Sequence, residues 1–183
     1  MNKHINYTAV VLLLFSANSF AISDSVTVDI TANIKETTCD ISLSAQNLQG
    51  ANAITFGSDA DGRVIDEDII NATGSALTKF SLNIDGCPAG LSTIKTRFSG
   101  TTRAGDPTWL MGWGSDNVGV ALYREGEETT LFHINSSIDS EILVWRPDEI
   151  QNKKANLMAR LLQVGQVSYG NHIFPMTMLF SYE

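Results

Sequence analysis

The last fourteen residues of the sequence, 170–183, constrain its fold more than any other segment. From position 176 onward every second residue is apolar: Met176, Met178, Phe180 and Tyr182. This period of two predicts a β-strand with one buried face. Because the backbone of a buried strand needs hydrogen-bonding neighbours, this strand has to find them earlier in the chain or on another molecule.

A second alternating segment lies near the beginning of the sequence. Its apolar row consists of Val26, Val28, Ile30, Ala32 and Ile34, with polar residues at the positions between them. The pattern predicts a long strand with one buried face. Such a strand is either the first strand of the domain or an arm that leaves it, and periodicity alone does not decide between the two.

The first residues have the features of a secretory signal peptide. A lysine and a histidine precede an apolar run at 9–15, and residues 19–21 place small side chains at the two positions that signal peptidase reads. The apolar run is too short for a membrane-spanning helix, which disfavours the alternative of an uncleaved anchor. We therefore expect residues 1–21 to be removed and the mature chain to be exported.

Two cysteines, Cys39 and Cys87, lie in the exported part. An even pair in an oxidising compartment predicts a disulfide. The bond would enclose about 48 residues and stabilise the fold by roughly 4 kcal/mol in the chain-entropy model. A metal or redox site is the weaker alternative, because the sequence has no C-x-x-C motif and two thiols do not complete a zinc shell.

The segment between the two alternating ends is rich in short apolar patterns separated by turn residues. Residues 156–164 have a spacing that a helix also uses, but their flanking lysines and glycine favour a strand. The loop-forming composition of 99–106 predicts a loop, and 109–113 is interpreted as a turn. Eight or nine short strands without a long amphipathic helix predict an antiparallel β-sandwich in one domain. The further strands are predicted at 41–43, 54–57, 77–84, 93–98, 118–123, 129–134 and 138–145.

Charge and motifs exclude several classes of function. The formal net charge is -8, with 20 acidic and 12 basic residues and no basic cluster, so we expect no nucleic-acid binding. His133 and His172 are the histidines left after signal removal, and no G-x-S-x-G motif accompanies them. The acidic stretch 59–68 lacks the spacing of a calcium loop. The sequence therefore predicts a protein that is not an enzyme and needs no metal or cofactor.

Three tryptophans leave one binding function open. Trp109, Trp113 and Trp145 would suit a sugar site if their rings were exposed, because aromatic faces stack on sugar rings. Burial in the core is the favoured interpretation, since aromatic residues contribute heavily to the cores of small β-domains.

Several motifs in order resemble the pilin subunits of chaperone-usher fimbriae, especially the type 1 fimbrial family. After the signal peptide these are V-T-V-D-I-T-A-N-I-K-E-T-T-C-D-I, F-S-L-N-I-D-G-C-P-A-G, F-S-G and D-N-V-G-V-A-L-Y. Gly170 is fourteenth from the end and Tyr182 is next to last, as in that family. The resemblance covers nearly all of the mature chain.

This resemblance implies an all-β fold: an incomplete immunoglobulin-like sandwich that lacks its seventh strand. It implies domain boundaries at 1–21 for the signal, 22–36 for a donor-strand arm and 37–183 for the pilin domain. The donor residues are those of the apolar row 26–34. The chaperone and acceptor groove is assigned to Gly170, Met176, Met178, Phe180, Tyr182 and Glu183.

The resemblance also implies partners. A periplasmic chaperone lends a strand to the open groove and uses the terminal carboxylate as its handle, and at the outer-membrane usher the arm of the next pilin subunit replaces it. The expected function is a structural subunit of a cell-surface fimbrium that supports adhesion, and the alternative is a single-domain tip adhesin or adaptor that binds host surface glycans. Ala32 departs from the family, which usually has glycine there, and its methyl group would narrow the choice of partner or slow exchange.

Overall fold

The computed structural model describes residues 38–50, 52–57, 63–112, 117–163, 165 and 172–183. All of these lie in one compact unit, Lys35–Glu183. The predicted signal peptide, the donor arm at 22–36, Gly170 and Trp113 lie outside the described residues.

The described residues are mainly β-strands. They also include two short helices, α1 at Asp66–Asn71 and α2 at Pro147–Gln151, and a 3-10 turn at Gly74–Ala76. None of these helices is long and apolar enough to cross a membrane. The strands are β1 (Asp40–Ala45), β2 (Leu48–Gln49), β3 (Ala53–Ile54), β4 (Leu77–Asp85), β5 (Ile94–Gly100), β6 (Thr102–Arg103), β7 (Asp106–Met111), β8 (Val118–Arg124), β9 (Leu143–Val144), β10 (Lys154–Gln163) and β11 (Met176–Tyr182).

Among the described residues, the larger sheet has six strands in the order β1-β4-β10-β8-β7-β6. Its central pairs are long and antiparallel, with Leu157 opposite Phe80 in the β10–β4 pair and Ile41 opposite Ile84 in the β1–β4 pair. Strand β1 therefore forms one edge of this sheet. Because the pairing alternates inward and outward side chains, β4, β8 and β10 each place a continuous apolar row on the inner face.

The second sheet has three strands in the order β11-β5-β9. Strand β11 pairs antiparallel with β5, with Met178 opposite Phe98, and forms one edge of the sheet. The inner residues Ile94, Thr96 and Phe98 of β5 have an exposed fraction of 0%. The core lies between the two sheets, as expected for a β-sandwich. The predicted all-β sandwich is therefore confirmed.

Most predicted strands are confirmed, including β10, where the spacing also allowed a helix. The prediction for 99–111 was wrong: β6 and β7 form a hairpin there, and Trp109 lies in a strand. The prediction of a strand at 129–134 was also wrong. The amide of Phe132 donates to Leu122 in β8, whereas the amide of Ile134 donates to Pro107 in β7 and that of Asn135 to Phe98 in β5. The chain therefore crosses between the sheets here instead of following one of them.

Two further differences concern the helices. Asp66, Glu67 and Asp68, at the end of the acidic stretch 59–68, form the first turn of α1, where negative charge stabilises a helix. At 138–145 only β9 is a strand, and the proline at 147 begins α2. Glu149 holds α2 in place, because its carboxylate accepts hydrogen bonds from the Arg146 backbone (2.7 Å) and from the Arg124 guanidinium (2.8 and 3.0 Å).

Candidate functional site

An apolar groove lies between the edge strand of each sheet, β1 and β11. Within the described residues, β1 pairs only with β4 and β11 only with β5. Each strand therefore has one edge without a ladder partner in that part of the chain. The cavity beside these edges has a volume of about 1020 Å³.

The lining of the groove is mainly apolar, and part of it comes from the inner rows of the large sheet and part from the segment around β2 and β3. Strand β1 contributes Leu43 and strand β11 contributes Met176 and Met178, all half-buried. Apolar surface of this kind favours an occupant that removes it from water. The strands between them contribute Phe80, Leu110, Val118, Val120, Leu122, Ala159 and Leu161.

The inner row of β11 matches the row predicted from the sequence. Met176, Met178, Phe180 and Tyr182 are half-buried and pack against the core, while the three residues between them are exposed. Strand β1 shows the same alternation, with its half-buried residues Ile41, Leu43 and Ala45 turned towards the core. Strands β1 and β11 thus each carry an apolar row that is only half-buried.

Cys39 directly precedes β1, at the end of this strand that lies near the end of β11. Cys39 and Cys87 form a disulfide, as predicted, which ties the start of β1 to the turn after β4. Burial raises the pKa of the Tyr182 hydroxyl, and a hydrogen bond from the Cys39 backbone opposes that rise. Tyr182 at the end of β11 is therefore in direct contact with the residue that precedes β1.

Glu183 is fixed to the segment before β5. Its backbone oxygen accepts hydrogen bonds from the Ser92 and Thr93 amides, both at 3.0 Å, and from the Ser92 hydroxyl at 3.2 Å. Its side-chain carboxylate lies 3.5 Å from Lys95 Nζ. Lys95 Nζ donates a hydrogen bond to the Asp139 carboxylate (3.1 Å), and this bond, together with the charges of Asp139 and Glu183, raises the pKa of Lys95. Glu183, whose terminal carboxylate is expected to bind the chaperone, is thus held by the segment before β5 and by Lys95 in β5.

The other end of the groove is formed by residues 172–175, which lead into β11, and by the region of α1. His172, Ile173, Phe174 and Pro175 line the cavity there. From the region of α1, the side chains of Val64, Asp66 and Ile69 also contribute. Ile173 has an exposed fraction of 61%, which leaves apolar surface at this end.

The sequence predicted only part of this site. Of the residues assigned to the groove, Met176 and Met178 line the cavity, whereas Phe180, Tyr182 and Glu183 are not among its lining residues. Gly170 and the donor residues lie outside the described residues. The inner rows of β4, β8 and β10 and the residues before β11 were missed as groove residues. Their apolar periodicity signalled burial, but which of them are covered by the protein's own strands depends on the pairing of the two sheets.

The two described tryptophans do not form an open stacking surface. Trp145 is buried, and its Nε1 donates a hydrogen bond to Thr96 Oγ1 at 3.0 Å. Trp109 is half-buried, and the Arg103 guanidinium lies over its ring, 4.9 Å from the centroid. One face of the Trp109 ring is therefore already occupied by a cation.

The polar clusters in the described segments do not form a catalytic arrangement. His133 Nδ1 lies 3.2 Å from Glu141, and the Ser136 hydroxyl donates to the same carboxylate. The serine therefore bonds to the acid and not to the histidine that would have to activate it. No group of three or more metal-ligating side chains occurs among the described residues.

Comparison with known proteins supports a fimbrial likeness. No protein-family model matches the sequence. The chain is similar to the uncharacterized fimbrial-like protein YadM of Escherichia coli strain K12, with 29% identity over 183 residues and 93% of each chain covered.

Two solved structures resemble the chain. The crystal structure of the P pilus rod subunit PapA has a TM-score of 0.58 and 17% identity, covering 87% of this chain and all of PapA. A chain in a chaperone-usher pilus structure has a TM-score of 0.47 and 13% identity, covering 88% of this chain and 97% of the other. The PapA likeness establishes the fold, an open immunoglobulin-like sandwich. In sequence and in fold, the chain resembles the pilin subunits of chaperone-usher fimbriae.

Proposed function

We propose that the chain is a structural subunit of a chaperone-usher fimbria and that it polymerises by donor-strand exchange. The observation that carries this proposal is the apolar groove between β1 and β11, each of which pairs on one edge only within the described residues. An extended segment with alternating apolar residues would fit such a groove, because ladder hydrogen bonds supply affinity and alternate side chains supply specificity.

The N-terminal arm, residues 22–36, is the proposed donor. Its row of Val26, Val28, Ile30, Ala32 and Ile34 has the period of a strand with one buried face. Burial of the four larger side chains would contribute roughly 6 to 12 kcal/mol before ordering costs. Once inserted into a neighbouring subunit, the arm would therefore leave it slowly.

Assembly would follow the order that the resemblance implies. Residues 1–21 direct export, a periplasmic chaperone covers the groove of the pilin domain at 37–183, and the usher exchanges the chaperone strand for the arm of the next subunit. The product is a fimbrium on the cell surface that supports adhesion. Glu183 would offer the chaperone only those oxygens that its bonds to Ser92, Thr93 and Lys95 leave accessible.

A pair of fusion proteins tests the proposal. In the donor-fused chain, a copy of residues 22–36 follows Glu183 through a short flexible linker; in the scrambled-fused chain, the same residues follow in shuffled order. We expect the donor-fused chain to be a stable monomer with a cooperative unfolding transition, and the scrambled-fused chain to aggregate or unfold at much lower denaturant. Equal stability of the two chains in urea unfolding would contradict the proposal.

A further inference from the structure

The position of residues 173–175 depends on a glycine at the end of β7. A Cβ atom added to Gly112 would overlap the carbonyl oxygen of Ile173, and it would lie 3.1 Å from the carbonyl carbon of Ile173 and 3.0 Å from Phe174 Cδ1. The overlap is with backbone, so rotation of a side chain cannot relieve it. The segment before β11 therefore lies against Gly112 more closely than any other residue type would allow.

The same segment also lies close to Gly100, at the end of β5. A Cβ atom there would lie 3.0 Å from the carbonyl oxygen of Pro175 and would meet the flexible end of Leu110. Gly100 is itself fixed, because the Asn135 side chain accepts a hydrogen bond from its amide (3.1 Å) and donates one to its carbonyl (2.8 Å). The fixed φ of Pro175 restricts the segment further.

Ile173, Phe174 and Pro175 also line the groove. We propose that Gly112 is a positioning residue for the groove: it sets where 173–175 lie, and so sets the size of the pocket at that end for the last apolar side chain of the incoming strand. This inference rests on the proposed function.

The side chain received there is identified by strand direction. The ladders of both main sheets are antiparallel in the described part of the chain. A strand added antiparallel to β11 places its C-terminal end beside the start of β11. For an arm from a second copy of this chain, that residue is Ile34, a β-branched aliphatic side chain.

The test uses the mature chain, residues 22–183, refolded from denaturant with fluorescent peptides of residues 22–36. Three peptides are compared: the native sequence, Ile34→Ala and Val26→Ala. The wild-type chain should bind the native peptide more tightly than either variant. With Gly112→Ala, we expect the affinity for the native peptide to fall about tenfold. Displacement of 173–175 should cost about as much binding free energy as overpacking costs in a protein core. The preference for Ile34 over Ala at that position should be lost, while the preference for Val26 remains.

Gly119→Ala is the matched control. Its added methyl group would lie 2.9 Å from Trp109 and 3.2 Å from both the Leu110 carbonyl oxygen and Met111 Sδ, and neither Gly119 nor Trp109 lines the groove. It should lower stability without changing the order in which the three peptides bind. Gly100→Ala is the milder second variant, since much of its overlap is with a flexible leucine, and it should weaken the Ile34 preference by about threefold.

The outcomes separate the two proposals. A wild-type chain that captures none of the peptides overturns the proposed function. If the wild-type chain binds them but Gly112→Ala and Gly100→Ala keep the wild-type order of affinities, or weaken all three peptides equally as a merely structural change would, the role of Gly112 is overturned. Should Gly112→Ala fail to fold, Gly100→Ala alone decides, by whether the Ile34 preference is weakened.

Discussion

Strands β8 and β11 have similar apolar content but opposite degrees of burial. All residues of β8 from Val118 to Tyr123 are buried, because the strand pairs on both edges and is covered on both faces. In β11 no residue is buried, and its apolar row reaches only half-burial. The inner row of β8 forms the floor of the groove, whereas β11 forms one border of it and has one edge without a ladder partner among the described residues.

Loss of the disulfide should have the largest effect on this contrast. Replacing Cys39 and Cys87 by serine releases β1, one border of the groove, from the turn after β4. We expect the unfolding free energy of the donor-fused chain to fall by roughly 4 kcal/mol, as estimated for a loop of this length. Urea unfolding of the oxidised parent and the double variant measures the loss, and a loss below about 1 kcal/mol would contradict the structural role of the bond.

A cavity in the completed part of the core should come next. Leu157 in β10 has an exposed fraction of 1%, so Leu157→Ala should destabilise the chain by roughly 3 kcal/mol. Because this site is already covered by the protein's own strands, the loss should be the same in the donor-fused and the scrambled-fused chain. A loss that depends on the donor would mean that the core around Leu157 is also incomplete.

Met178→Ala in β11 should behave in the opposite way. When the donor covers the groove, removal of this half-buried side chain should cost roughly 2 kcal/mol. Without a matching donor, the loss should be less than about half of that value, since the side chain is then still partly in water. Urea unfolding of the two fused chains decides, and equal losses would argue that β11 has its full set of neighbours already.

The smallest effect concerns α1, which contributes Ile69 to the groove. Hydrogen bonds from the Ser75 hydroxyl and amide (2.6 and 2.8 Å) lower the pKa of Asp68 below 3.8. The resulting stabilisation of the folded chain is fully present at pH values above the ordinary pKa of Asp. It is lost as the pH falls through the lowered pKa of Asp68 in the folded chain. Asp68→Asn should therefore lower the melting temperature at pH about 7, and the difference from wild type should shrink as the pH falls through the lowered pKa of Asp68. A difference that persists at low pH would show that the role of Asp68 does not depend on its charge.

Local periodicity predicted the strands that follow a single sheet, such as β5, β8, β10 and β11. It failed where the chain changes sheets. Phe132 and Ile134 are buried at alternate positions, yet they bond to different strands, so alternation there reports burial without a ladder. It also failed at β7, where Trp109 has one ring face covered by Arg103 and lies against Gly119, contacts that a pattern of residues does not reveal.

The site was predictable to a similar extent. The β11 row could be identified from its period of two, and the disulfide from a pair of cysteines in a chain expected to be exported. The close approach of 173–175 to Gly112 could not, because these residues are about sixty positions apart and meet only after both sheets form. The sequence also could not show that β1 and β11 belong to different sheets and border a groove.

Amide hydrogen exchange in β1 and β11 tests most directly whether each of these strands lacks a neighbour on one edge. The comparison is between the donor-fused and the scrambled-fused chain. We expect the amides on the outer edges of both strands to exchange slowly only in the donor-fused chain, while amides of β8 are protected wherever the chain is folded. Equal protection of the β1 and β11 edges in both chains would show that the sandwich closes with its own residues, and would contradict the proposed strand exchange.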